Sequence, residues 1–432
     1  MPLEGWPSGL KRKTMQDIVL TQEHTMDLQR QFRTLHVWAW SSLALATAGL
    51  VACGGSGGGT PTGTLNLSMT DAPACGYDHV YVTVNKIRVH QSAAADGTEL
   101  LGWRELSIPT QRIDLLSLTN GVLQELGSLP LPVGNYQQLR LVLADNPANP
   151  STANPLANAL VLSGSTTEIP LTTPSAQQSG FKLQARFDVQ SGQVADMVLD
   201  FDACRSIVKA GASGRYNLKP VVAVIPRLTT AIEGYVDPAL ASGVVVSTRD
   251  PDDNLRATVP HPVTGKFTLA YLPANSNYTV VVAGQNLTTA AITNVAVSLA
   301  TGVTTLNTAQ TPIVPSASAM ASVAGVVSDG RALLTEARVA ASQTLSTGQS
   351  VQVASMGVDP VTAEYTLALP LAAAVKAPYV SGSPLVFTTD SMVAGRYNMN
   401  GTATGTTTQS TNPVLDLGVA GSTTVKDLVL AP

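Results

Sequence analysis

Leu65, Leu67 and Met69 alternate with Asn66, Ser68 and Thr70, and Leu139, Leu141 and Leu143 share one parity against Gln138, Arg140 and Val142. A period of two is the mark of a strand with one buried face, because successive side chains leave the backbone on opposite sides. Short runs of this kind, separated by Gly, Pro, Asn and Ser, favour stacked sheets over long helices. Composition agrees, with 44% apolar residues but only 5% aromatic ones, a mixture suited to short strands and tight turns. The predicted class is all-β, a tandem series of β-sandwiches.

The same logic locates further elements. From His79 to His90, Val80, Val82 and Val84 keep one parity while Ile87 and Val89 take the other, which predicts a bulge or bend near Asn85 and Lys86. Leu183, Ala185, Phe187 and Val189 run through Ser191-Gly192 toward Met197, Leu199 and Phe201, a pattern that reads as an antiparallel hairpin. Arg112 to Leu118 is the best candidate for a short helical turn, stopped by Asn120-Gly121.

Ahead of all this lies an apolar stretch from Val37 to Ala52, preceded by Arg30 and Arg33 and ending in Leu50-Val51-Ala52-Cys53. A basic region, an apolar core and a small-residue cut site in that order make an export signal. The stretch falls short of the roughly 20 apolar residues that span a bilayer. Its last four residues resemble the bacterial lipobox, which implies that Cys53 takes a diacylglycerol, with palmitate, and becomes the first mature residue. Residues 1–52 are then signal peptide and N-terminal extension, with Met26 an alternative start. Residues 53–62, carrying Gly54-Gly55-Ser56-Gly57-Gly58-Gly59, form a flexible tether. They also match G-x-S-x-G, but no strand precedes the serine and no helix follows it, so no nucleophile elbow is expected. The expected location is the cell envelope, held to the membrane by lipid. Gly54 after the cysteine points to the outer membrane.

Thr70-Asp71-Ala72-Pro73, Ile113-Asp114-Leu115-Leu116, Leu131-Pro132-Val133-Gly134-Asn135-Tyr136, Leu199-Asp200-Phe201-Asp202-Ala203 and Tyr216-Asn217-Leu218-Lys219-Pro220 follow one another in order. This series resembles the bacterial domain-of-unknown-function 4382 family, which implies an exported lipoprotein with a sandwich-like domain over residues 63–227 and no assigned activity. Beyond it, Ile232-Glu233-Gly234-Tyr235-Val236 parallels Val323-Ala324-Gly325-Val326-Val327, and Thr264 to Ala270 parallels Thr362 to Ala368, each copy then reaching a proline, Pro273 or Pro370. The first copy, residues 228–311, resembles the carboxypeptidase-regulatory or transthyretin-like sandwich. The second, residues 319–432, lacks the glycine before its aromatic residue and carries a long insertion. Pro312 to Ser318 reads as a linker.

The search for chemistry excludes more than it finds. A net charge of −4 without a basic cluster disfavours nucleic acid. His79, His90 and His261 follow no H-E-x-x-H pattern, and neither C-x-x-C nor a phosphate loop occurs after the signal. Asp196, Asp200 and Asp202 share one strand face and are weak calcium candidates; a solvated acidic face is the simpler expectation. Trp103 is the only tryptophan past Cys53, so a sugar-stacking platform would fall to Tyr77, Tyr81, Tyr136 or Tyr216, whereas buried sandwich tyrosines with a bonded hydroxyl are the commoner case. Once Cys53 is acylated, Cys75 and Cys204 are the remaining thiols, each just beyond a predicted strand end in an oxidising compartment, and a disulfide between them is expected. No cofactor is called for. The expected role is a non-catalytic envelope protein for surface binding, adhesion or scaffolding, with a glycan or protein ligand. The alternative is an envelope hydrolase whose site follows no known motif.

Overall fold

In the computed structural model the described residues are 60–72, 76–98, 101–173, 179–403, 405–410 and 414–431. Cys53 and Cys75 lie outside them, as do the signal and most of the tether. Gly59–Pro432 form one compact unit, built almost wholly of strands that stack as three successive sandwiches.

The first sandwich faces a four-stranded sheet, in the order Val222–Pro226, Val194–Asp202, Thr62–Ala72, Gln124–Pro132, against a larger sheet centred on Tyr77–His90. Leu65, Leu67 and Met69 are fully buried against Val80, Val82, Leu139 and Leu141 in one core. The register of Tyr77–His90 shifts between Val84 and Lys86 against both Arg104–Asp114 and Gly134–Leu143. That bulge reconciles the two parities, since Val84 and Ile87 are both fully buried. Within the stretch Arg112 to Leu118 the helical turn covers Leu115–Leu118, capped by the Asp114 side chain, and the chain then turns at Asn120 and Gly121, which take φ of 60° and 78°.

The expected hairpin does not form. Phe181–Val189 pairs with Gly134–Leu143 in the larger sheet, whereas Val194–Asp202 runs parallel to Thr62–Ala72 in the other. Both strands carry an apolar face, and both faces enter the same core. They therefore oppose each other through the core, and the turn at Gly192 carries the chain from one sheet to the next.

The second and third sandwiches repeat one plan. Ala231–Tyr235 lies between Lys266–Leu269, antiparallel, and Val303–Thr305, parallel. Met320–Ser328 lies likewise between Glu364–Pro370 and Thr423–Val425. Gly234 faces Phe267 and Gly325 faces Tyr365 in the two registers. Each glycine makes room for a close neighbour: a Cβ on Gly234 would come within 2.7 Å of the Phe267 ring, and one on Gly325 within 2.1 Å of the Lys426 carbonyl.

All three sandwiches share one further device. A buried tyrosine donates its hydroxyl to the carbonyl of the proline that ends an earlier strand or precedes its own: Tyr136 to Pro132 at 3.1 Å, Tyr278 to Pro273 at 2.6 Å and Tyr397 to Pro370 at 2.5 Å. The long insertion of the third sandwich falls between Pro370 and Tyr397. It contributes Val375–Pro378, which pairs in parallel with Ala290–Val297 of the second sandwich, and Thr388–Thr389 at the sheet edge.

Nor is Pro312 to Ser318 a free linker. The Ile313 amide donates to Tyr235, the Asp237 amide to Ile313, and Thr288 and Ser318 exchange bonds with Ser316 and Asn286. The segment lies along the second sandwich as an extra strand would.

Candidate functional site

Asp196, Asp200 and Asp202 do share the outward face of Val194–Asp202, but that face is covered over Asp200 and Asp202, while Asp196 keeps 38% of its side chain exposed. Its cover is the neighbouring sandwiches. Asp200 Oδ2 receives Arg256 Nη1 at 3.0 Å, and the same guanidinium gives Nη2 to Asp250 at 2.9 Å. Asp196 stands 3.7 Å from Arg227, and Asp202 3.7 Å from Arg205, whose amide it also caps. Each carboxylate is thus held by its own guanidinium, and no group of three metal-ligating side chains occurs among the described residues. Asp200 and Asp202 are therefore paired and buried, and only Asp196 retains the solvated character expected of this face.

Burial governs the ionisation here. It pushes the Asp200 carboxyl up to about 6 against the opposing pull of Arg256 and raises Asp202 despite Arg205. Asp71 goes well above the carboxylate range through burial and then the neighbouring Asp202. Its Oδ1 accepts from the Ala203 amide at 3.0 Å. On the other side, burial and the adjacent Arg205 bring Arg338 down to about 10.

Further polar bonds tie the sandwiches together. The Asn120-Gly121 turn is a socket for the second: Asn120 donates to the Val259 carbonyl at 3.1 Å and accepts from the Thr268 amide at 2.9 Å, while Tyr271 donates to Gly121 at 2.6 Å. The third sandwich reaches the first through Lys219 to Glu336 at 2.9 Å, the Gly211 amide to Asp359 at 2.6 Å, and Arg338 to the Arg205 carbonyl.

Where the three meet, a cleft of about 640 Å³ remains. Val245, Ala257 and Ala283 line it from the second sandwich, Val353 and Ala368 from the third, and Arg205 from the first. It exists because the facing strands present small side chains that cannot fill the gap.

The histidines are dispersed. His79 Nδ1 meets Asp114 Oδ2 at 2.6 Å, His90 packs on Trp103 at 5.1 Å, and His261 accepts amides inside its own turn. The aromatics weighed for sugar stacking do not stand free as a platform, and Tyr77 is half-buried. Tyr81 already stacks on His79 and carries the Arg112 guanidinium 3.7 Å from its ring, Tyr136 and Tyr216 are buried, and Trp103 is buried beneath Arg88 and Arg140. Sequence reading missed Arg256, Asp250, Arg205 and Arg338. The turn Asp250 to Asn254 was visible in composition, but the burial of Arg256 beside it had no local signal.

Residues 62–220 match the family model for a domain of unknown function, DUF4382. The DUF4382 region begins with the strand Thr62–Ala72 and stops just short of Val222–Pro226, which closes the same sheet. No curated protein matches the chain. Among solved structures, the chain is similar to the Bacillus anthracis TIE protein at 11% identity, covering 86% of this chain and 51% of that one, with a TM-score of 0.18. It is also similar to a double mutant of shaft pilin SpaA from Lactobacillus rhamnosus GG (13% identity, 47% and 96% covered, TM-score 0.15) and to a streptococcal ancillary pilin (11%, 84% and 99%, 0.15). The chain spans about half the length of the Bacillus anthracis protein.

Proposed function

We propose that this chain is a non-catalytic lipoprotein of the bacterial cell envelope, anchored through Cys53 in the outer membrane, whose three sandwiches act as one stiff scaffold for adhesion or ligand capture. The observation that carries the reading is the set of polar bonds between sandwiches, above all Arg256 held between Asp200 and Asp250. Beads on a flexible string would need none of them. The Gly-rich tether ahead of the compact unit gives such a body reach without altering its shape.

The anchor is tested by replacing Cys53 with serine and feeding cells a clickable fatty acid. Loss of label and of trimming at Ala52 is expected, with the wild type recovered in the outer-membrane fraction. Continued labelling of the serine variant, or wild type in the inner membrane, overturns the anchor or its destination. Absence of catalysis is tested by incubating the chain from Gly54 onward with isolated envelope glycans and assaying new reducing ends; turnover would reverse the reading.

A disulfide between Cys75 and Cys204 belongs to the same proposal. Thr62–Ala72 and Val194–Asp202 run parallel in a register that pairs Ala72 with Asp202. The two cysteines follow those paired ends by three and two residues in sequence, and a bridge would require their Cα atoms about 4.4–6.8 Å apart. Alkylation of the native protein, read by intact mass, is expected to label neither thiol before reduction and both after it. Two labels without reductant would remove the bridge.

A further inference from the structure

The cleft at the junction has walls that belong to no single sandwich, so it exists only in the docked arrangement. Its size falls in the range of about 300–1,000 Å³ that holds small molecules and is too narrow for another folded domain. Among the described residues no Trp, Tyr or Phe lines it, so they offer no ring for the stacking a glycan site would use. Val245, Ala257, Ala283, Val353 and Ala368 offer small aliphatic surfaces instead.

Charged groups gather where the first sandwich meets the cleft. Arg205 reaches the wall with Asp202 as its carboxylate partner at 3.7 Å. Arg338, hydrogen-bonded to the Arg205 carbonyl, stands behind it as a second guanidinium. The Nε of Arg205 and the Nε and Nη2 of Arg338 are buried without acceptors among the described residues. Arg205 and Arg338 thus bring two guanidinium groups to this end of the cleft, where Asp202 also lines the wall and burial holds both Asp202 and the adjacent Asp71 toward their neutral forms, leaving guanidinium donors unused. A planar guanidinium with free N–H groups matches a carboxylate.

We propose that this cleft binds a small aliphatic monocarboxylate, its chain lying on the valine and alanine walls and its acid group on Arg205. The proposal goes beyond the scaffold reading and does not depend on the anchor. Titration calorimetry on the chain from Gly54 onward, which contains the whole compact unit, uses octanoate with 1-octanol as the uncharged control. Octanoate is expected to bind more tightly than octanol. Arg205→Met, which keeps the backbone groups that Asp202 and Arg338 use, should weaken octanoate about tenfold or more and abolish the preference. Ala368→Trp, at an exposed position, should block both ligands with an unchanged melting transition. Absence of octanoate binding to the wild type overturns the proposal, as does equal binding of acid and alcohol, or binding indifferent to both substitutions.

Discussion

Arg256 Nη1 lies 3.0 Å from Asp200 Oδ2 across the boundary between the first two sandwiches, with Nη2 2.9 Å from Asp250 on its own side. Only 5% of the Arg256 side chain is exposed. Removing it leaves two buried carboxylates without a counter-charge. Arg256→Met is therefore expected to cost about 3–5 kcal/mol, measured by urea unfolding at neutral pH, and to speed cleavage near the boundary. A loss below about 1 kcal/mol, the range of a surface pair, would show that the pair is hydrated.

Asp200 should make stability fall as pH rises. Burial lifts its carboxyl from 3.8 to about 6, so between those values the folded protein holds a proton that the unfolded chain has released. Its contribution is complete below the unfolded value and is lost by the time pH passes the folded one. Comparing the wild type with Asp200→Asn cancels the other groups. Relative to the variant, the wild type is expected to lose stability from about pH 4 to about pH 6 and to level off above about 7. The opposite slope would mean that Arg256 outweighs desolvation.

Ala363 sits where the second sandwich has Gly265, and both adopt the left-handed region, at φ of 56° and 67°. Each ends a turn whose first residue, Asp359 or His261, accepts the amide that closes it. A Cβ is disfavoured in that conformation by about 1–2 kcal/mol, offset in part by glycine's greater freedom when unfolded. Ala363→Gly should raise stability by about 0.5–1 kcal/mol. Gly265→Ala should lose more than this, since its Cβ would land 1.9 Å from the Val236 carbonyl. Thermal unfolding of both variants checks the pair, and a destabilised Ala363→Gly would contradict it.

The tyrosine–proline bonds should be interchangeable in kind. Tyr136→Phe, Tyr278→Phe and Tyr397→Phe each strand a carbonyl that the hydroxyl now satisfies, at an expected cost of about 1–2 kcal/mol. Tyr397 is fully buried and should be the most costly, because water cannot take the place of its hydroxyl. Denaturation midpoints of the three variants decide; no loss in Tyr397→Phe would show that its carbonyl finds another donor.

Protease should spare Pro312 to Ser318. Its backbone is bonded to Tyr235, Asn286 and Thr288 on the second sandwich, and bonded backbone resists entry to a protease cleft. Early cleavage there, mapped by mass spectrometry, would show that the segment opens readily.

Local pattern by itself determined much of this protein: the strand class, the bulge between Val84 and Lys86, the short turn before Asn120, and the duplication that sets Gly234 opposite Phe267 and Gly325 opposite Tyr365. Those features follow from which side a residue faces, and a period of two encodes that within a few residues. What covers each face was decided only in the tertiary structure. Phe187 and Leu199 announce two buried faces equally well for a hairpin and for strands in opposed sheets, and only competition for long-range partners chose the second. Parity put Asp196, Asp200 and Asp202 on one side of a strand; that Arg256, 56 residues beyond Asp200, would cover that side depended on how the sandwiches dock. The cleft beside Arg205 is the extreme case, since its walls come from three sandwiches and no stretch of sequence contains more than one of them.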